Sequence, residues 1–246
     1  MFELTLSTTL DKQLYLSKLF AKLSCEIKRD AGLIAKQNLN GRAYLALAVD
    51  EDKKEYYKSK ILDHILFMVL DDYKFNYYKE LILPNEESEL FYAFLKAITM
   101  FDYENDKEIV QSQIEFAGEF LIDSFFYFKL GLLRARWSKA VEALNQNKIT
   151  LSEQLMIDVM KYLLAVSDNE SICVNVSISP KRLSIKNYCQ NRNFKHDFQG
   201  KSQFFAEIVK LNPTKINLKF SKQTQTLSGV KEKLEQIFGE KIYLLN

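Results

Sequence analysis

Two histidines, three cysteines, a ladder of carboxylates and two basic stretches are the side chains of this 246-residue chain whose chemistry reaches beyond packing. Histidine ligates metals and moves protons near neutral pH. His64 stands beside Asp63 among Leu62, Ile65 and Phe67, and reads as a core or boundary residue of a helix. His196 lies in the polar run Phe194-Lys195-His196-Asp197, which reads as a turn. Neither histidine has a His, Cys or Glu partner at the spacing of a zinc site. Cys25, Cys173 and Cys189 are widely separated and form no Cys-x-x-Cys pair, so reduced thiols in a cytosolic protein are expected. Cys25 has no basic neighbourhood to activate it and reads as a small buried residue. A nucleophile elbow, a P-loop and a Gly-x-Gly-x-x-Gly loop are all absent from the sequence.

Glu115, Glu119 and Asp123 follow one another at intervals of four. On a helix that spacing aligns them on one face, as paired-carboxylate acid–base or metal chemistry requires. The Glu-x-x-His companion of di-iron bundles is missing. The alternative is a solvated strip, or one paired with Lys or Arg from another helix. Further along, Arg134-Ala-Arg136-Trp137 offers a place to hold an anion, or a group that caps the end of the helix dipole and snorkels. Neither a metal nor another cofactor is expected.

The formal net charge is only +2, but it is unevenly placed. From residue 181 onward there are 13 Lys or Arg against 5 Asp or Glu, a net +8, which leaves 21 against 27, or −6, for the remainder. Such asymmetry points to an anionic partner, or to oppositely charged parts of one fold. In Lys215-Ile-Asn-Leu-Lys-Phe the residues alternate, so a strand there sends Lys215, Asn217 and Lys219 to one face. Lys222, Lys231 and Lys233 follow nearby and extend the candidate patch. Aromatics are not interleaved with these lysines as in an RNP-type RNA platform.

Positioning these groups falls to a chain poor in Pro (3) and Gly (7) and rich in Phe (18) and Tyr (13), a composition that favours long regular elements. Asp106 to Asn145 carries a helical signal about forty residues long. Val110, Ile114, Ala117, Leu121, Phe128 and Leu132 form one stripe at roughly 100° per residue. Glu119, Asp123, Lys129 and Arg134 interrupt it, and each costs ~2.5–3.5 kcal/mol at a bilayer centre, so it predicts a buried core helix and not a transmembrane segment. Phe120, Leu121, Phe125 and Phe128 are expected in the core. Gly118 and Gly131 inside it predict close approach of another element, or a kink.

Around that helix, Phe2–Ser7 reads as a strand and Leu10–Ile27 as a helix; Leu33–Leu39 and Arg42–Val49 read as a hairpin around Asn40-Gly41. Asp50–Leu83 is helical, Asn85 reads as the cap of the next helix, and Thr150-Leu-Ser-Glu153 reads as a capping box. After residue 170 the period shifts to two, and strands, a helix over Lys201–Leu211 and a helix over Leu227–Phe238 alternate. The expected fold class is α+β: a central helical bundle over 51–170, flanked by an N-terminal β-α-β-β unit over 1–50 and a C-terminal β-β-α-β-α-β unit over 171–246. Met1-Phe2-Glu3-Leu4 lacks the features of a signal peptide, in keeping with a cytoplasmic location.

Phe125-Phe-Tyr-Phe-Lys-Leu130, Lys161-Tyr-Leu-Leu164, Leu211-Asn-Pro-Thr-Lys-Ile-Asn-Leu218 and Leu234-Glu-Gln-Ile-Phe-Gly-Glu-Lys-Ile242 together resemble the YtxC-like family, putative sporulation proteins of endospore-forming bacteria. Lys129 stands where that family favours Arg, and the Cys-rich tail its members often carry after the last strand is not seen in Leu244-Leu245-Asn246. The resemblance implies a non-catalytic cytosolic protein that acts in sporulation through a protein partner, and it supplies no catalytic residues. The charge pattern gives a second expectation, an anion-binding module for nucleic acid or an acidic membrane surface. Its candidate residues are Arg134, Arg136, Trp137, Lys215, Lys219 and Lys222.

Overall fold

The computed structural model describes residues 1–82, 88–145, 151–167, 172–179, 182–187, 194–220 and 225–245. The fold is α+β, with two mixed sheets and helices packed on them. The chain forms two compact units that do not follow sequence order. One comprises Met1–Tyr78 with Asp102–Ala143, the other Lys79–Phe101 with Leu144–Asn246.

In the first unit, β1 (Phe2–Thr9), α1 (Gln13–Arg29), β2 (Leu33–Leu39) and β3 (Arg42–Val49) follow in order. β1 pairs antiparallel with β3, Leu4 opposite Leu47 and Leu6 opposite Leu45, which puts every alternate apolar side chain on one buried face. α1 packs against this sheet and buries Leu16, Leu19, Leu23 and Ile27, its i, i+3, i+4 stripe. Next comes α2 (Lys54–Phe67), a π-helical turn over Met68–Tyr73, and α3 (Lys74–Leu81).

The forty-residue helix expected over 106–145 is not one helix. α5 (Tyr103–Gln113) stops before an extended link, and Gly118–Leu121 is a strand, β4, parallel to β1 at the sheet edge. α4 (Glu89–Met100) precedes it in the chain. α5 ends where Ile114 turns extended, and Gly118, with φ 67°, opens β4 in the left-handed region that glycine enters at no steric cost. After β4 come a single helical turn, α6 (Ile122–Ser124), a second π-helical turn over Phe125–Lys129, and α7 (Gly131–Asn145).

The interruption rotates the side chains. Phe120, Phe125 and Phe126 are buried, while Leu121 is half-buried. Phe128 is 82% exposed and Leu132 88% exposed, so the expectation that Phe128 belongs to the core is corrected. In α7 the buried residues are Leu133, Trp137 and Val141, continuing the phase of Leu130. At roughly 100° per residue these cluster on one side, and Leu132 falls about 140° from Trp137. Phe126 takes the core place. Its ring lies 4.9 Å from Tyr73 and 6.3 Å from Trp137.

A buried ion pair joins these helices. Lys74 Nζ lies 2.7 Å from Asp106 Oδ2, with the two side chains 1% and 3% exposed. Trp137 Nε1 donates to the same carboxylate oxygen at 2.8 Å. The Lys74 ammonium also sits 5.3 Å from the Trp137 ring and 5.8 Å from that of Tyr78.

The second unit contains α4, α8 (Glu153–Val166) and a five-stranded sheet. Its elements are β5 (Cys173–Ser179), β6 (Arg182–Asn187), β7 (Phe194–Phe198), α9 (Lys201–Leu211), β8 (Lys215–Phe220), α10 (Gln225–Phe238) and β9 (Ile242–Leu245). The sheet order is β7-β6-β5-β8-β9, with β5, β8 and β9 parallel and the β5–β6–β7 meander antiparallel. β7 replaces the turn expected around His196. The two side-chain caps among the described residues are serines: Ser88 accepts from Phe91 N and Ser152 from Leu155 N, each at 3.2 Å. The cap assigned to Asn85 and the Thr150 end of the capping box lie outside the described residues.

Truncating Phe126 to Ala is expected to destabilise the protein by ~3–5 kcal/mol, whereas Phe128→Ala is expected to change stability by no more than about 0.5 kcal/mol. Urea denaturation of the two variants checks both numbers. Asp106→Ala strands the Lys74 ammonium and is expected to cost about 3–5 kcal/mol, while the double change Lys74→Met with Asp106→Leu recovers much of that loss. A double-mutant cycle in the same denaturant decides it.

Candidate functional site

Most polar clusters of the first unit are occupied by their own members. Asp123 accepts from Thr9 N at 3.1 Å and from Arg42 Nη2 at 2.8 Å, and Arg42 also reaches Ser7 Oγ at 3.2 Å. This clamp closes the ends of the parallel strands β1 and β4. Asp123 therefore stands apart from Glu115, in the link after α5, and Glu119, on β4; both of these are exposed. The three-carboxylate ladder does not exist as one helix face. Among the described residues no group of three His, Cys, Asp or Glu side chains is placed to hold a metal ion.

Arg134 and Trp137 belong to internal packing. Arg134 Nη2 donates to the Tyr127 carbonyl at 2.5 Å, at the end of the second π-helical turn, and its guanidinium lies 5.5–5.9 Å from the rings of Tyr127, Phe126 and Tyr77. Trp137 is buried against Asp106 and Lys74. Arg136, between them, is exposed. These three side chains do not converge on one exposed point. Cys25 is exposed, against the expectation of burial, and Cys173 is half-buried.

The second unit presents a different surface. One face of its sheet carries Val174, Val176, Ile178, Leu183, Ile185, Ile216 and Leu218, all buried. Strand alternation sends the intervening residues to the opposite face. Register places Cys173 opposite Lys215, Asn175 between Lys186 and Asn217, Ser177 between Ser184 and Lys219, and Ser179 opposite Arg182. On the flanking strands, Lys195 lies opposite Lys186, Asp197 opposite Ser184, and Tyr243 opposite Asn217.

Among the described residues this open face therefore gathers Arg182, Lys186, Lys195, Lys215 and Lys219 against one carboxylate, Asp197. Arg182 holds Asp197 in a two-pronged ion pair, and Lys195 approaches the same carboxylate at 3.7 Å. The Arg182 hydrogen bond holds the Asp197 carboxyl below the ordinary aspartate range, so the acid stays charged and pins the arginine. Among the described residues Lys186, Lys215 and Lys219 make no ion pair. The Lys215 ammonium lies 4.5 Å from the centre of the half-exposed Tyr243 ring.

Lys215 and Lys219, both sequence candidates, thus stand together on this face, exposed. Lys222 lies outside the described residues. Lys231 and Lys233 lie on α10, where they pair with Glu235 at 3.5 Å and Glu89 at 3.4 Å. The sequence reading missed Arg182, Lys186 and Lys195. The signal for Lys195 was present: Phe194-Lys-His-Asp-Phe198 alternates with period two, and the His196 ring sits between the rings of Phe194 and Phe198, 5.1 and 6.2 Å away. No helix among the described residues is long and apolar enough to cross a membrane. Comparisons with protein-family models, with curated proteins and with solved structures give no match.

His64 is the other histidine, with Nε2 2.9 Å from the Tyr15 carbonyl, to which the neutral ring donates. Burial draws its pKa below the ordinary histidine value, partly opposed by that hydrogen bond. A pKa lower in the folded than in the unfolded chain means that the unfolded chain binds more protons in the window between the two values. Stability is then full above about pH 6.5 and is lost as pH falls through the folded value. Chemical denaturation between about pH 5 and 7 is expected to show this loss. His64→Gln, which keeps a donor for Tyr15 without a titrating ring, is expected to flatten the slope.

Proposed function

We propose that this chain is a non-catalytic binding protein whose C-terminal sheet docks a polyanion on its open face. The observation that carries this reading is the register. It collects five cations from three strands on one sheet face, Lys186 half-buried and the others exposed, with a single carboxylate among the described residues there. A packed sheet face needs apolar residues, and a merely solvated one needs no excess of one sign. Lys215 and Lys219 are exposed and Lys186 is half-buried, and none of the three has an ion-pair partner among the described residues, the arrangement that attracts phosphates or carboxylates. The non-catalytic part is supported by the charged groups of the other unit, where Lys74 pairs with Asp106 and Arg42 with Asp123.

The resemblance to the YtxC-like family adds a setting, sporulation, in which the protein acts by recruiting or holding a partner. One observation favours a protein partner as the second reading. Tyr127, Phe128 and Leu132, all large and largely apolar, are exposed on the second π-helical turn and α7.

Polyanion docking makes affinity steeply dependent on salt. With the three lysines Lys186, Lys215 and Lys219 engaged, binding to heparin or to nucleic acid is expected to weaken roughly 10–10²-fold between about 50 and 200 mM salt. Reversing Lys215 and Lys219 to Glu is expected to remove most of the binding at low salt and to lower the salt slope. Fluorescence anisotropy titrations of the parent and the double variant measure both. Salt-insensitive binding, or binding untouched by the reversals, would place the site elsewhere.

A further inference from the structure

The cations of the open face are not scattered. Along β5 they alternate sides: Lys215 on β8 stands level with Cys173, Lys186 on β6 with Asn175, Lys219 on β8 with Ser177, and Arg182 on β6 with Ser179. Each step is two residues, ~6.6 Å along the strand. The two flanking strands lie roughly 10 Å apart, twice the spacing of neighbouring strands. β5 itself carries only short side chains on this face: Cys173, Asn175, Ser177 and Ser179. Long cationic walls and a short polar floor make a trough. From β8, Asn217 donates across the floor to Asn175 Oδ1 at 2.8 Å and lies 3.6 Å from Cys173 Sγ. Beyond the β8 wall, on β9, the half-exposed Tyr243 ring stands opposite Asn217, with the Lys215 ammonium over it.

We propose that this trough binds a single strand of nucleic acid running along β5. The inference rests on the polyanion-docking reading and names the polyanion. A trough this narrow admits one chain between its walls and excludes a duplex, whose two backbones and base pairs are wider than the gap. Lys215, Lys186 and Lys219 recur at about the separation of successive phosphates in an extended single strand, so three consecutive phosphates meet charge from one side and the other in turn, while Arg182 is held by Asp197 on the far side of β6. Amide and hydroxyl groups on the floor hydrogen-bond sugar and base edges without regard to sequence. Tyr243, on β9 just beyond Lys215, supplies a ring on which a base splayed outward over β8 stacks next to a charge, the pairing that single-strand binders use. An acidic peptide matches the charges but has no use for the ring. A membrane surface is flat, and no apolar side chain rises from the trough floor to enter it.

The test uses the full chain and labelled probes at low salt: oligomers of a dozen thymidylates or uridylates, a duplex of the same length, polyglutamate, and phosphatidylglycerol vesicles. Single strands are expected to bind at least roughly tenfold tighter than the duplex. Ser177→Asp, which places a carboxylate on the floor and removes no cation, is expected to abolish single-strand binding. Tyr243→Ala is expected to weaken it by about five- to a hundredfold while Tyr243→Phe preserves it. Thermal melting by circular dichroism confirms that each variant is folded, and the phenylalanine variant reports on the ring even where the alanine variant is unstable. Duplex, polyglutamate or vesicles binding as tightly as single strands would overturn the single-strand inference and leave the polyanion dock standing. Absence of binding to every probe would remove both. Preference for uridylates over thymidylates, or the reverse, assigns RNA or DNA within the same proposal.

Discussion

The charge on Lys74 is the constraint that most of the first unit answers to. An ammonium group sealed from water is costly unless a carboxylate and further hydrogen bonds surround it. Here Asp106 of α5 and the indole of Trp137 on α7 meet at Lys74 of α3, and aromatic faces cover what remains. Burial draws the Lys74 pKa below the ordinary lysine value, and the Asp106 charge opposes that shift. Any slip of one helix past another would strand a buried charge. The contact thus fixes rotation as well as position. With Trp137 turned inward, Leu133 and Val141 must follow, and Leu132 must face out. The exposure of Phe128 and Leu132 is a consequence of where one indole has to be.

The second unit is organised by alternation instead. Its sheet commits every other side chain to an apolar core, which leaves the remaining positions without a packing role. What occupies them is then informative, because burial does not dictate it. On β5 those residues are short and neutral; on β6 and β8 they are mostly long and basic. Only the register between strands turns these separate patterns into a trough, since a one-residue slip would send the lysines into the core.

The α+β class, the opening β-α-β-β order and most later elements were legible because period and turn chemistry are local. Asn40-Gly41, with positive φ at both residues, marks the first hairpin as its dipeptide predicts. The helix over 106–145 was misread because β4 is four residues long, and one Gly-Glu-Phe-Leu stretch between two helical runs barely perturbs a periodicity count. Its strand state comes from pairing with β1, a contact more than a hundred residues away in sequence. Tertiary pairing overrode local propensity there. The same distance problem hid half of the candidate site. Lys215 and Lys219 share one strand and were read together, whereas Lys186 and Arg182 join them only through β5, and Lys195 only through β6.

The two sheets give a comparison inside one chain. Both carry an antiparallel hairpin beside a parallel pair, so topology alone does not mark one as a binding face. On the first sheet the residues opposite the core are Thr5, Ser7, Tyr44, Ala46 and Ala48 in the middle, with Arg42 consumed by Asp123. Its one interior cation is neutralised where it stands. On the second sheet three lysines face outward with no ion-pair partner among the described residues, while the one acidic residue of that face is spent on Arg182 and Lys195. Like charges gathered on neighbouring strands repel, so an unligated face of this kind costs stability that the fold does not require. A binding partner of opposite charge relieves that repulsion. This physical asymmetry, more than the net charge of the chain, separates the two faces.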